Sequence, residues 1–125
     1  MAKLTENFHS EEFACPCCGK SEMNIHTVER LQRIRDIYGK PIRIVQGGGF
    51  RCRHYHEGGP LSAHLTGEAV DLDIPQADLY MATGLAFMAG FSGIGVKNRQ
   101  GRWQLHIDDA EQKEGRPRPW IWSYQ

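Results

Sequence analysis

Ser62-Ala-His-Leu-Thr-Gly-Glu-Ala-Val-Asp-Leu-Asp-Ile74 is the stretch on which the reading of this chain depends. From Ala69 apolar residues alternate with others, the period of a half-buried strand. Val70, Leu72 and Ile74 then face a core, and Ala69, Asp71 and Asp73 the opposite side. Gly67 predicts a tight turn, so the ring of His64 can fold back toward Asp71. One imidazole and one carboxylate are two of the three protein ligands of a catalytic zinc site, whose fourth position is left for water. The third must come from elsewhere, and Leu105-His-Ile-Asp108 offers it. There the alternation puts His106 and Asp108 on one face with Gln104, and Leu105 and Ile107 in the core. If this second strand lies beside the first, His64, Asp71 and His106 converge. An ion held there would acidify a water and polarise a carbonyl.

The surrounding chain sets the bounds. Its 125 residues suffice for one domain, 1–125, with a real core. Lys plus Arg and Asp plus Glu both number 15, a balance that argues against a general nucleic-acid binder. No apolar run reaches the length of a membrane span. The opening Met1-Ala-Lys-Leu-Thr-Glu-Asn7 lacks the apolar centre of a secretory signal. The expectation is a soluble monomer made in the cytoplasm, with no nucleic-acid or membrane partner.

In chain order, residues 1–9 read as an extended lead-in and Ser10 as the cap of a short helical turn. Asn24 caps a longer helix in which Val28, Leu31, Ile34 and Tyr38 recur at helical spacing, and Gly39 and Pro41 end it. Ile42–Val45 is β-branched and short, hence a strand. Gln46-Gly-Gly-Gly-Phe-Arg51 is a flexible turn delivering an arginine, and its glycines allow positive φ or close approach. It lacks the lysine and spacing of a phosphate-binding loop. Pro75 starts a second helix, expected to pack deep, running to about Gly90. Gly93–Val96 and Trp103–Asp108 read as strands joined through 97–102. The Pro-rich tail excludes a helix, and its aromatics are expected to lie across the body of the domain. His54 and His56 fall in a loop and are expected to face solvent.

Four cysteines stand at 15, 17, 18 and 52. Cys15-Pro-Cys-Cys18 contains a C-x-x-C, and Cys52 with His54 or His56 could complete a structural zinc site. Buried free thiols, the default in a reducing compartment, are the plainer reading.

The longer string Ser62-x-His64-x-x-Gly67-x-Ala69-x-Asp71, followed by His106-x-Asp108, resembles the zinc D-Ala-D-Ala carboxypeptidases of peptidase family M15. It is most similar to their small branch in phage and bacterial cell-wall hydrolases. Asn7-Phe-His-Ser-Glu-Glu-Phe-Ala-Cys15, Leu31–Arg35, Gly39–Ile42, Gly49-Phe-Arg-Cys52 and Gly93-Ile-Gly95 resemble further segments of that branch, in order. The resemblance implies an α+β domain of the hedgehog/DD-peptidase type, with an antiparallel sheet flanked by helices. It implies zinc (Zn2+) on His64, Asp71 and His106, with Arg51 stabilising the substrate's carbonyl or carboxylate and Ser62 hydrogen-bonding near the metal or substrate. The implied partner is a peptidoglycan stem peptide, cut at a D,D or L,D bond by a carboxypeptidase or endopeptidase. The enzyme would act on the wall after release or delivery.

The chain departs from that pattern at three places. Gly48 stands where the arginine turn carries serine, the loop before Ser62 is one residue short, and Trp103 stands where some members carry a glutamate base. Asp108 is then the first candidate for the base, with Glu68 and Asp73 behind it. Asp108 is equally suited to orienting a ligand imidazole. The departures also leave open a zinc-bearing structural or binding module without hydrolysis, such as a phage tail component. A cysteine-based protein is the third alternative.

Overall fold

The computed structural model describes residues 2–124, and its sheet is built on the alternation read at Ala69. Strand β2 (Ala69–Asp73) pairs antiparallel with β4 (Arg102–Asp108), in a register that sets Asp71 opposite His106 and Leu72 opposite Leu105. Val70, Leu72, Ile74, Leu105 and Ile107 are at most 2% exposed. Burying each contributes about 1.5–3 kcal/mol and pins the register, because a one-residue slip would turn every one of them outward. Strand β1 (Arg43–Ile44) flanks β2, while β3 (Gly93–Arg99) and then β5 (Trp120–Tyr124) extend the other side, giving the order β1-β2-β4-β3-β5. All pairings are antiparallel except β3 with β5.

Helix α1 (Ile25–Tyr38) starts where the Asn24 side chain accepts a hydrogen bond from the His26 N–H at 2.9 Å. It stops at Gly39, whose φ of 78° is the left-handed value glycine adopts without strain. Helix α2 (Gln76–Met88) follows Pro75 and packs on α1 and β4. The whole is α+β, two helices with a mostly antiparallel sheet.

The structure revises four expectations. Residues 2–9 are not an extended lead-in: Lys3 bridges His9, and Phe8 enters the core at 1% exposure. Helix α2 does not pack deep on all sides. Ala82, Leu85 and Ala86 are buried, but Tyr80, Phe87 and Met88 are exposed. The β3–β4 connection shrinks to Gln100-Gly101, whose φ values of 53° and 84° make the tight hairpin turn that matches strand twist. The tail pairs as β5 beside β3, and this makes the sheet mixed. Aromatic and β-branched residues favour a strand there, but the prolines just before it obscured the signal.

Candidate metal centre

The three ligand candidates arrive on different elements and meet. His64 sits in a single 3-10 turn, Ala63–Thr66, ended by Gly67 at φ 71°. Asp71 and His106 face each other across the β2–β4 ladder. One ligand atom from each of the three lies within 4.8 Å of the other two, and all three residues are buried. The separations are 3.4 Å from His64 Nε2 to Asp71 Oδ1 and 3.0 Å from His106 Nδ1 to the same oxygen. Two N or O ligands of a tetrahedral zinc, each about 2.0–2.2 Å from the ion, stand about 3.4 Å apart. The donor set therefore fits zinc in both chemistry and spacing.

The outer ring nitrogens are held as metal-binding imidazoles require. His64 Nδ1–H donates to the Gly49 carbonyl at 2.8 Å, which leaves Nε2 for the centre. His106 Nε2–H donates to Asp108 Oδ2 at 2.7 Å, which leaves Nδ1 for the centre. Asp108 is itself fully buried and accepts from Arg118 Nε and Nη2, each at 2.8 Å. Gly93 makes this pair possible, because a side chain there would run into the Asp108 carboxylate and Arg118.

These contacts set the charges of the metal-free site. Burial opposes an ionised Asp71, but the imidazoles of His64 and His106 outweigh it and hold the carboxyl far below the ordinary carboxylate range. Burial likewise opposes a charged His106, yet Asp108 and Asp71 raise it to about 9. Asp108 is lowered to about 2, with His106 and Arg118 overcoming the effect of burial.

Arg51 reaches the centre from the glycine turn. Its Nη2 donates to Asp71 Oδ2 at 2.6 Å and its Nε to the Gly47 carbonyl at 2.6 Å. The turn is packed rather than flexible. A Cβ on Gly48 would stand 2.8 Å from the Val45 carbonyl and 2.9 Å from the Asp71 Cβ, and one on Gly49 would stand 2.6 Å from Phe13 Cα. The missing serine at 48 is thus a matter of space. The Ser62 hydroxyl accepts from the His64 N–H at 3.3 Å and lines the cleft. Glu68 and Asp73 do not line it.

The centre forms the floor of an open cleft of about 910 Å³. Three wall residues carry more than their sequence context suggested. His56 is half-buried rather than solvent-facing, and its ring lies 6.4 Å from that of His64. Both His56 nitrogens are occluded without a partner, as is the Tyr124 hydroxyl. The Trp122 ring lies 5.2 Å from that of His106, tilted by 51°. Arg118, Trp122 and Tyr124 belong to the tail, and only its pairing with β3 brings them here. His54 is exposed as expected.

An α+β scaffold carrying two imidazoles and a carboxylate at the floor of a cleft defines a protein able to hold one divalent ion at a reaction site. The chain belongs to peptidase family M15, whose family model, described as Peptidase M15, matches residues 6–108. That span takes in every residue of the centre and ends before β5. No curated protein matches the chain.

Proposed function

We propose that this protein is a zinc-dependent peptidase that cuts peptide bonds in bacterial cell-wall stem peptides, as a carboxypeptidase or endopeptidase. One observation carries the reading: His64, Asp71 and His106 close together beside Arg51 on the floor of an open cleft. Zinc bound there would supply a Lewis acid and a water acidified toward neutral pH.

The chain's own groups divide the remaining work. Asp108 holds the His106 ring in place. Both its oxygens are engaged and it is fully buried, which suits orientation better than proton exchange with the cleft. Proton acceptance then falls to His56, whose burial and nearness to Arg51 lower its pKa and keep it neutral at pH 7. Its ring centroid lies 6.4 Å from that of His64, beside the centre. Arg51 offers a guanidinium to a carbonyl oxygen or terminal carboxylate of the substrate. Lys97, Arg99 and Arg116 add positive charge to the walls although the chain as a whole is neutral. That wall suits stem peptides, which carry free carboxylates. Such an enzyme works as a monomer and meets its substrate once released or delivered to the wall.

The test is digestion of peptidoglycan and defined stem peptides, followed by mass spectrometry. The wild type is expected to release peptide or D-alanine with turnover. His64→Ala is expected to lose zinc and cleavage together, and chelation to stop cleavage until zinc is restored. Cleavage that persists in His64→Ala overturns the proposal. The engagement of both Asp108 oxygens favours a second reading, a zinc-bearing module without hydrolysis; stoichiometric zinc with no turnover on any stem peptide would establish it.

A further inference from the structure

A second cluster of metal-binding side chains shares no residue with the His-Asp-His centre. Sγ atoms of Cys15, Cys18 and Cys52 all lie within 4.8 Å of one another, although 34 positions of sequence separate Cys18 from Cys52. All four cysteines of the chain are free thiols. The Cys15 and Cys52 sulfurs stand 3.7 Å apart. Two sulfurs on a tetrahedral zinc, each about 2.3 Å from the ion, are about 3.8 Å apart, whereas a disulfide needs about 2.0 Å.

The backbone is arranged for thiolate at Cys15. Cys15-Pro-Cys-Cys-Gly-Lys20 closes into a tight turn, with the Gly19 N–H donating to the Cys15 carbonyl and the Cys15 N–H to the Lys20 carbonyl, both at 2.8 Å. Gly19 takes φ 75°, which its lack of a Cβ permits. The Cys52 N–H donates to Cys15 Sγ at 3.5 Å. Cys17 lies on the same turn, next to Cys18, and faces solvent. The histidine ligands anticipated beside Cys52 are not in this cluster: His56 turns its ring to His64, and His54 is exposed.

We propose that Cys15, Cys18 and Cys52 bind a second zinc ion, with the Cys17 thiolate completing the shell from the solvent side. This ion is structural. It ties the N-terminal segment to the glycine turn, since Cys52 follows Arg51 directly and the Phe50 N–H already donates to the Phe13 carbonyl at 3.0 Å. It thereby anchors the loop from which Arg51 enters the cleft. Thiolates are the softest ligands the chain offers, and zinc accepts them in closed tetrahedral sites.

Metal analysis of the full chain, purified under reducing conditions, tests this. Two zinc equivalents per chain are expected in the wild type, one in Cys18→Ser/Cys52→Ser, and one in His64→Ala/His106→Ala. Cobalt substitution separates the sites without relying on the cysteine variant folding. The His64→Ala/His106→Ala protein loaded with cobalt is expected to show an intense sulfur-to-cobalt charge-transfer band in the near ultraviolet. Absence of that band, a wild-type zinc content left unchanged by Cys18→Ser/Cys52→Ser, or a Cys15–Cys52 disulfide in protein kept reduced would overturn the proposal. Failure of hydrolysis leaves these readings unchanged, so the two proposals stand or fall separately.

Discussion

His106 and Asp108, two residues apart on one strand face, join Nε2 to Oδ2 at 2.7 Å, and Arg118 closes the far side of the carboxylate at 2.8 Å. The metal-facing nitrogen of His106 is thereby chosen by a residue that does not itself touch the cleft. Asp108→Asn is expected to weaken zinc binding about 10–100-fold, the usual effect of losing such a partner. It also leaves the Arg118 charge buried and uncompensated, so Tm should fall. Competition with a chromophoric chelator measures the first effect and thermal melting the second. Unchanged zinc affinity would assign Asp108 another role.

Proton uptake should follow from the same pair. In the metal-free protein His106 titrates at about 9, against an ordinary 6.5. A histidine pKa raised by folding stabilises the protein fully below 6.5, and that stability disappears as pH rises through 9. Asp108 is depressed from 3.8 to about 2, so its contribution is present above 3.8 and lost as pH falls through 2. The two share the His106–Asp108 contact, with Asp71 also raising the histidine and Arg118 also lowering the carboxyl. Metal-free protein should therefore lose stability between pH 6.5 and 9 in denaturant melts. Zinc needs the neutral ring, so binding at pH 7 should release about one proton from His106. Calorimetry in buffers of different ionisation enthalpy would read it, and no release would contradict the assignment.

Arg51→Lys separates binding of the metal from use of the substrate. A lysine keeps the charge but lacks the planar fork. Zinc content should be retained, while kcat/KM on a stem peptide falls by about 10²–10³, the range for loss of one oxyanion donor. An unchanged kcat/KM would place Arg51 outside the reaction.

His56→Ala is expected to leave zinc content and Tm near wild type and to cut kcat by about 10²–10⁴, with the pH profile losing its acidic limb. Full activity in this variant would return the proton acceptor to another group.

Gly48→Ser restores the residue the family pattern leads one to expect, yet here it should harm the protein. The new Cβ meets the Val45 carbonyl at 2.8 Å and the Asp71 Cβ at 2.9 Å. A cost of about 1–3 kcal/mol is expected from such overpacking, together with weaker zinc binding as Asp71 is pushed aside. Denaturant melts and chelator competition check both.

The alternation from Ala69 and from Trp103 sufficed to place Leu72 and Leu105 inward and Asp71 and His106 on the other face, because side-chain direction along a strand is a local property of the backbone. Asn24 and Gly39 marked the ends of α1 for an equally local reason, the unsatisfied groups of a helix terminus. The ordered string from Ser62 to Asp108 carried the family. What residues far apart in sequence do to one another was decided only by the tertiary structure. The parallel pairing of β5 with β3 carries Arg118 to Asp108 and Trp122 to His106, and no pattern within the tail encodes that partner. Crowding at Gly48 and Gly93 depends on side chains from other elements. The convergence of Cys52 with Cys15 and Cys18 likewise depends on how the glycine turn packs on Phe13. Local periodicity specifies which way a side chain points, but only the packed chain specifies what it meets.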